Sequence, residues 1–424
     1  MVRACGGLER PRCSSRGPMH VLAINQFYAP DHSATAQLLT ELCEDMARAG
    51  DRVTVVASRG SYLGGERWPG QERFNGVDVI RPPSTSFGKA TLLHRMGDYS
   101  SFWLGSVAAA LQGDRPDVVL ALTTPPMIAA GGALTGALRR VPLVTWVQDV
   151  YPDIAGAFGV LNPRSLPYQL LARLMREALR RSSAVVALSA GMKERLRNQG
   201  VRAAAIEVIP NWSDGALIRP IPKAENSFRR EHGLGDHFVA MYSGNLGVGH
   251  DFKTFVAAAR ILKETCPRAL LLFVGDGSRR AEAERVAAGL RNVRFLPYQP
   301  RDRLGESLSA ADLHLISLRE NLDGLLVPSK LYGAMASARP ILYVGPASCE
   351  VARALATHGC GVAFRPGDAE GVADAIARMC NDADGTERQG ASARSAFEAH
   401  YERRLAVAAW RRVLSEAAAV RQPR

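Results

Sequence analysis

Residues 320–340 read ENLDGLLVPSKLYGAMASARP. An apolar run at 313–318 ends just before them, a glycine-bearing loop follows, and Leu331, Ala334, Met335 and Ala338 then recur at helical spacing. The order is strand, loop, helix. In an open parallel sheet the carboxyl ends of the strands face the ligand crevice, and a following helix turns its free N–H groups and positive dipole end toward it. Lys330 falls in the first predicted helical turn, where the dipole disfavours a cation unless an anion answers it. Ser329 can cap that helix or donate to an oxygen, and Gly324 permits close backbone approach. An anion site is the expectation; the alternative is an ordinary junction with a solvated lysine.

Outward from this stretch the same alternation repeats. Strand candidates at 20–25, 53–57, 77–80, 118–122, 143–147 and 184–188 are separated by helical patterns such as 34–49, 92–111 and 166–181. A second series has strands at 238–242, 269–274, 293–296, 313–318 and 341–344, with helices at 252–264, 279–290 and 304–310. The reading is α/β, with two Rossmann-like halves. Pro210, Asn211, Gly215, Pro220 and Pro222 supply turn and linker chemistry between the series. One long helical pattern, about 390–420, ends the chain and can pack back across the junction.

Length and composition agree with that organisation. A chain of 424 residues exceeds one ordinary core, and 47% hydrophobic with 22% charged residues is usual for a soluble globular protein. The formal charge of +12 points to acidic partners without choosing among nucleotides, nucleic acid and an anionic membrane. Seven cysteines, odd in number and without a CxxC pair, fit a reducing compartment. Residues 1–18 are polar and basic and are expected to be a disordered extension rather than a secretory signal. The uncharged stretch 118–138 is broken by Thr123, Thr124, Pro125, Pro126, Gly131 and Gly132, so it is read as buried core rather than a span.

Each half opens with a strand and a loop of small residues. In the first, residues 25–35 read NQFYAPDHSAT, and in the second, residues 243–249 read SGNLGVG. Either loop can turn backbone amides to a phosphate, and neither is a dinucleotide fingerprint. The one DxD, Asp382 to Asp384, lies in a polar loop and is read as solvated surface, so no metal is expected.

Together these segments resemble the retaining glycosyltransferases of family 4, which have the two-domain GT-B fold. The resemblance is carried by FYAPDHSATAQLLTELCEDMARAGDRVTVVAS, WVQDVYPDIAGAFGVL, VIPNWSD, YSGNLGVGHDF, FVGDG and LDGLLVPSKLYGAMASARPIL. It is strongest to the bacterial subgroup of N-acetylfucosamine-type transferases of O-antigen, colanic acid and capsule biosynthesis. It implies an acceptor-binding domain at 19–203, completed by a returning C-terminal helix at 396–424, and a nucleotide-sugar-binding domain at 204–395 facing it across a cleft.

The implied activity is metal-independent transfer of a hexosyl group, an acetamido sugar, from a UDP-sugar to a lipid-linked or saccharide acceptor. No cofactor is implied, the UDP-sugar being the donor substrate. The implied donor-binding residues are Ser243, Gly244, Asn245, Gly247, His250, Gly275, Tyr298, Gly324, Leu325, Leu326, Ser329 and Lys330. Asp31, His32, Ser33, Gln148 and Asp149 would lie on the acceptor side, and Lys330, Asp149, Glu320 and Asp323 would serve catalysis. Two family glutamates fall on Leu325 and Gly333 here, leaving Glu320 or Asp323 as candidate substitutes. An arginine and a lysine of many members are replaced by Asn245 and His250, so Lys330 would carry more of the diphosphate charge.

Two other readings stand beside this one. A GT-B epimerase or hydrolase would need an additional acid and base, and a nucleic-acid binder would need interleaved aromatics or a basic recognition helix that the sequence does not display. Finally, residues 161–200 hold eight arginines and lysines against two glutamates. Within 166–181, Leu170, Leu171, Leu174, Ala178 and Leu179 recur on one side and Arg173, Arg176 and Arg180 on another, an amphipathic basic helix. A cytoplasmic protein held peripherally on the anionic inner membrane surface is expected.

Overall fold

The computed structural model describes residues 17–31, 33–61, 65–88 and 92–420. The expectation for 1–18 therefore falls almost wholly outside the described residues, as does His32.

The first series runs β1 (His20–Ile24), α1 (Ala34–Arg48), β2 (Arg52–Val56), β3 (Gln71–Phe74), β4 (Val77–Ile80), α2 (Leu92–Ala110) and β5 (Val118–Ala121). It continues with α3 (Ile128–Arg139), β6 (Leu143–Trp146), α4 (Asp153–Ala157), α5 (Leu166–Arg181), β7 (Ala184–Ala187), α6 (Ala190–Asn198) and β8 (Ile206–Val208). Its strands form one sheet in the order β3-β4-β2-β1-β5-β6-β7-β8, parallel except for the β3–β4 pair. The edge strand β8 lies beyond the expected boundary at 203, so the first sheet extends past it. Only three residues long and half exposed, β8 gives little apolar signal.

The second series comprises α7 (Ser227–Glu231), β9 (Phe238–Ser243), α8 (Lys253–Thr265), β10 (Ala269–Val274), α9 (Arg280–Val286), β11 (Val293–Leu296) and α10 (Leu304–Ser309). It ends with β12 (Leu313–Ser317), α11 (Lys330–Ala336), β13 (Ile341–Val344), α12 (Glu350–His358), β14 (Gly361–Phe364), α13 (Ala369–Asn381), α14 (Ala383–His400) and α15 (Arg403–Ala419). The six strands are all parallel, ordered β11-β10-β9-β12-β13-β14. Runs such as VVLA in β5 and ALLLFV in β10 are buried along their whole length, because helices cover both faces of each sheet. In both sheets the strand order reverses beside the first strand, β1 or β9, and leaves a crevice at the carboxyl ends. This is the GT-B architecture.

The last helical pattern is two helices, not one. Tyr401 closes α14, whereas Glu402 accepts the Gly215 N–H at 3.1 Å and its strand-like bridge to Ser213 bends the chain. α14 stays on α11, while α15 crosses to α1, β5 and β6. There Trp410 is wholly buried, 4.5 Å centroid to centroid from Trp146 of β6, which in turn stacks on Trp212 of the junction at 5.5 Å. Three indoles thus fasten the returning helix to the first half.

The apolar side of α5 differs from the expectation. Met175, Ala178 and Leu179 face the core, but Leu166, Leu170 and Leu174 point outward in the neighbourhood of exposed Arg173. Among the described residues no helix is long and apolar enough to cross a membrane, and 118–138 divides into β5, a loop holding Thr123 to Pro126, and α3, within which Gly131 and Gly132 are accommodated.

Candidate functional site

The two sheets face each other across a cleft of about 810 Å³, continuous with a hollow of about 500 Å³ that runs into the second half. Gly244, Tyr298, Ser329 and Lys330 line both, together with Gln37 of α1.

The floor is made by two loops laced together by backbone. After β9, the Gly244 N–H donates to the Val274 carbonyl and the Leu246 N–H to that of Asp276, at 2.8 Å each. Such contact leaves no room for side chains. Gly275 has φ +136° and Gly277 φ +152°, and a Cβ at either would run into the 244–246 backbone. Gly275 therefore backs the loop after β9 rather than lining the cleft. Gly247 does likewise, packed under the Asn245 amide.

Lys330 reaches over this floor from the start of α11. Its Nζ is 3.2 Å from His250 Nε2, 3.4 Å from the Asn245 carbonyl oxygen and 4.8 Å from the centre of the Tyr242 ring. All three neighbours are neutral, and among the described residues Lys330 forms no ion pair. Burial with no anion to offset it lowers the Lys330 pKa to about 7. Burial, then the nearby Lys330, push His250 down to about 3, so its ring is neutral. Ser329 occupies the helix N-cap position without a side-chain capping bond, and its exposed hydroxyl faces both hollows.

On the opposite wall stands Asp149, beyond the end of β6. Its backbone N–H donates to Thr123 Oγ1 at 3.2 Å, and burial raises its carboxyl to about 6. Its neighbour does not join it. Gln148 is buried, and its amide is consumed by a reciprocal pair with Asn211, both bonds 3.0 Å, so it braces the junction instead of facing an acceptor. Ser33 lines the cleft while its hydroxyl accepts the Ala36 N–H and caps α1. Asp31 is buried, its carboxylate accepting the Ser33 N–H at 2.8 Å, which shapes the turn.

Neither candidate substitute for the missing glutamates reaches this cleft. Glu320 is exposed in a separate hollow with Lys253 and Arg319, and Asp323 accepts from Ser348 Oγ and lines neither the cleft nor the hollow continuous with it. Gly324, with φ +68°, abuts Gly191 of α6, and the buried Leu325 accepts the Val150 N–H at 2.9 Å through its carbonyl. These residues join the halves; of that loop Leu326 does line the cleft. Where Gly333 borders the inner hollow its neighbours are Leu308, Ile218 and the Ser213 hydroxyl, so the floor is largely apolar and bears no carboxylate.

Several lining residues escaped the sequence reading. Arg301 follows Tyr298 into the inner hollow and pairs with Glu41 of α1. Arg95, Asp98 and Tyr99 present one face of α2 to the cleft. Their i, i+3, i+4 spacing was the available signal, as was Gln37 one turn after Ser33.

Comparison with known proteins accords with this geometry. Residues 34–212 match the family described as Glycosyl transferase 4-like domain, and residues 237–382 that described as Glycosyl transferases group 1. WbjE of Pseudomonas aeruginosa, named as a glycosyltransferase, is 27% identical over 85% of this chain and 89% of its own. WcaI of Escherichia coli (strain K12), named as a colanic acid biosynthesis glycosyl transferase, is 25% identical over 84% of this chain and 91% of its own. The crystal structure of HepE from Anabaena in complex with UDP and glucose superposes with a TM-score of 0.72 at 18% identity, covering 94% of this chain and all of that one.

Proposed function

The chain is a glycosyltransferase of the GT-B fold, and from that premise we propose that it moves an acetamido sugar, with retention, from a UDP-sugar to a lipid-linked saccharide in bacterial surface polysaccharide biosynthesis. The observation that carries this reading is Lys330: a cation on the floor of the inter-domain cleft, held by neutral groups, with Gly244 beside it and a carboxylate on the facing wall. The name of WcaI, a colanic acid biosynthesis glycosyl transferase, supports the polysaccharide setting.

The chemistry asks little beyond placement and charge. A nucleoside diphosphate is already a good leaving group, and Lys330 would stabilise the charge that grows on it as the glycosidic bond breaks. The acceptor hydroxyl would attack from the leaving group's own face and pass its proton to the departing phosphate oxygen, so no pair of carboxylates is required, unlike in a retaining hydrolase. Asp149 would orient the acceptor hydroxyl.

A lipid-linked acceptor fits the outer face of the first half. α3 packs between α2 and α5, and the three helices leave Leu93, Leu104, Leu138 and Leu170 more than half exposed. That apolar layer, with Arg173 on it, supports peripheral attachment to an anionic membrane.

A thermal-shift panel of UDP, GDP and sugar nucleotides tests the donor, since a ligand at 100 times its dissociation constant adds about 2.7 kcal/mol. UDP should shift the protein. Lys330→Ala should lower turnover by about 10² to 10³ with the fold intact. No UDP shift, or turnover in Lys330→Ala within a few-fold of wild type, would overturn the reading. Epimer or free sugar formed without acceptor would replace transfer by epimerisation or hydrolysis.

A further inference from the structure

We infer that His250 is a positioning residue for Lys330, a neutral acceptor of fixed tautomer that aims the ammonium at a bound diphosphate, and that diphosphate binding is therefore accompanied by uptake of a proton. This rests on the reading that Lys330 meets the donor diphosphate.

The tautomer follows from one contact. His250 Nδ1 lies 2.7 Å from the Ser317 carbonyl oxygen, which can only accept, so Nδ1 carries the hydrogen. The lone pair is then on Nε2, which faces Lys330 Nζ at 3.2 Å. Lysine donates and histidine accepts. His250 itself is anchored through its carbonyl, which accepts from Arg279 Nη1 at 3.2 Å, and Asp251 beside it caps α8. The ring thus has little freedom to leave Lys330.

What surrounds the ammonium decides the proton balance. From β9 and the loop after it come the Tyr242 ring and the Asn245 carbonyl, from β12 through His250 the Ser317 carbonyl, from the loop after β11 Tyr298, and across the cleft Asp149. The Arg279 cation near His250 is paired to Glu282. A carboxylate in the place of His250 would neutralise Lys330 and compete with a phosphate for it. A neutral imidazole keeps the direction of the ammonium and leaves its charge unanswered. With its pKa lowered to about 7, Lys330 is part-deprotonated in the free protein above neutral pH, and an entering diphosphate restores the proton. UDP affinity should accordingly fall as pH rises above 7, by up to about tenfold per pH unit.

Calorimetry of UDP binding at pH 8 in two buffers of different ionisation enthalpy measures the uptake, with uridine as the phosphate-free control. Wild type should take up a substantial fraction of one proton with UDP and none with uridine. His250→Leu should weaken UDP by about tenfold with the uptake kept, since loss of an acceptor disfavours the free ammonium further, while His250→Gln, which restores an acceptor, should recover most of the affinity lost. Lys330→Gln should abolish the uptake, and this holds the test open if His250→Leu fails to fold. Wild-type affinity in His250→Leu, no uptake in wild type, or uptake persisting in Lys330→Gln would each overturn the inference. Failure of wild type to bind UDP or inorganic pyrophosphate would instead remove the donor reading on which it stands.

Discussion

Trp212 donates its indole N–H to Glu41 Oε2 at 2.7 Å, and the other oxygen of the same carboxylate meets the guanidinium of Arg301. One side chain of α1 thereby holds the junction between the halves and the loop that borders the inner hollow. Glu41→Ala strands a buried indole donor and releases Arg301, an expected loss of about 1–3 kcal/mol in urea denaturation. Glu41→Gln keeps an acceptor for Trp212 and should cost less. Equal losses in the two variants, or none in either, would show that the indole bond contributes nothing measurable.

Gly275 makes a second test of how the loop after β9 is built. Alanine there pays for φ +136° and drives a Cβ into the Gly244 carbonyl, whereas at Gly289, φ +82°, a Cβ meets nothing within 4 Å. Gly289→Ala should carry the backbone strain alone, about 1 kcal/mol, while Gly275→Ala should lose more and weaken UDP binding. If the two variants are alike in stability and in UDP affinity, the close approach of the loops is not what the donor side depends on.

Asp149 gives a prediction with a sign. Its folded pKa of about 6 lies above the ordinary 3.8, so the folded protein holds this proton more tightly than the unfolded chain. The associated stability is complete below about pH 4 and is lost as pH rises through 6. Asp149→Asn removes that slope. The variant should match wild type in acid and exceed it at pH 8 by about 1–3 kcal/mol, at about 1.4 kcal/mol per pH unit. Its transfer rate should fall while UDP affinity persists. A variant less stable than wild type at pH 8, or one that loses UDP, would place Asp149 in the framework instead.

How much of this was legible in the sequence depended on whether a contact was local. Central strands such as β5 and β10 announce themselves because burial on both faces demands unbroken apolar runs. β3, with the sequence QERF, and β8, with IEV, lie at sheet edges and carry no such run. The strand–loop–helix at 313–336 could be read, and with it the position of Lys330. That His250 would be its partner could not, because the two are 80 residues apart and meet only when β9 and β12 are adjacent. Gln148 was placed correctly along the chain and wrongly in space for the same reason, its partner Asn211 being 63 residues away.

The outward face of α5 supplies the last prediction. Leu166, Leu170 and Leu174 are spaced four apart and are 81%, 58% and 47% exposed, against a core side formed by Met175, Ala178 and Leu179. Arg173 is exposed between them, Arg176 is half-buried, and Arg180 donates from Nε to the Gly200 carbonyl at 3.2 Å. Attraction to anionic lipid amounts to about 1 kcal/mol per basic residue near the surface, and each leucine inserted adds on the order of 1.5–3 kcal/mol if fully buried. Wild type should therefore sediment with anionic vesicles at low salt and leave them as salt rises. Reversing Arg173, Arg176 and Arg180 to glutamate should release it, but that change also disturbs the Arg180 tie to Gly200. Leu170→Gln with Leu174→Gln leaves the arginines in place and separates insertion from charge. It should weaken vesicle binding and preserve the UDP-dependent thermal shift. Vesicle binding unchanged in both variants would remove α5 from the membrane face, and a wild type that ignores anionic vesicles at low salt would end the peripheral-membrane proposal altogether.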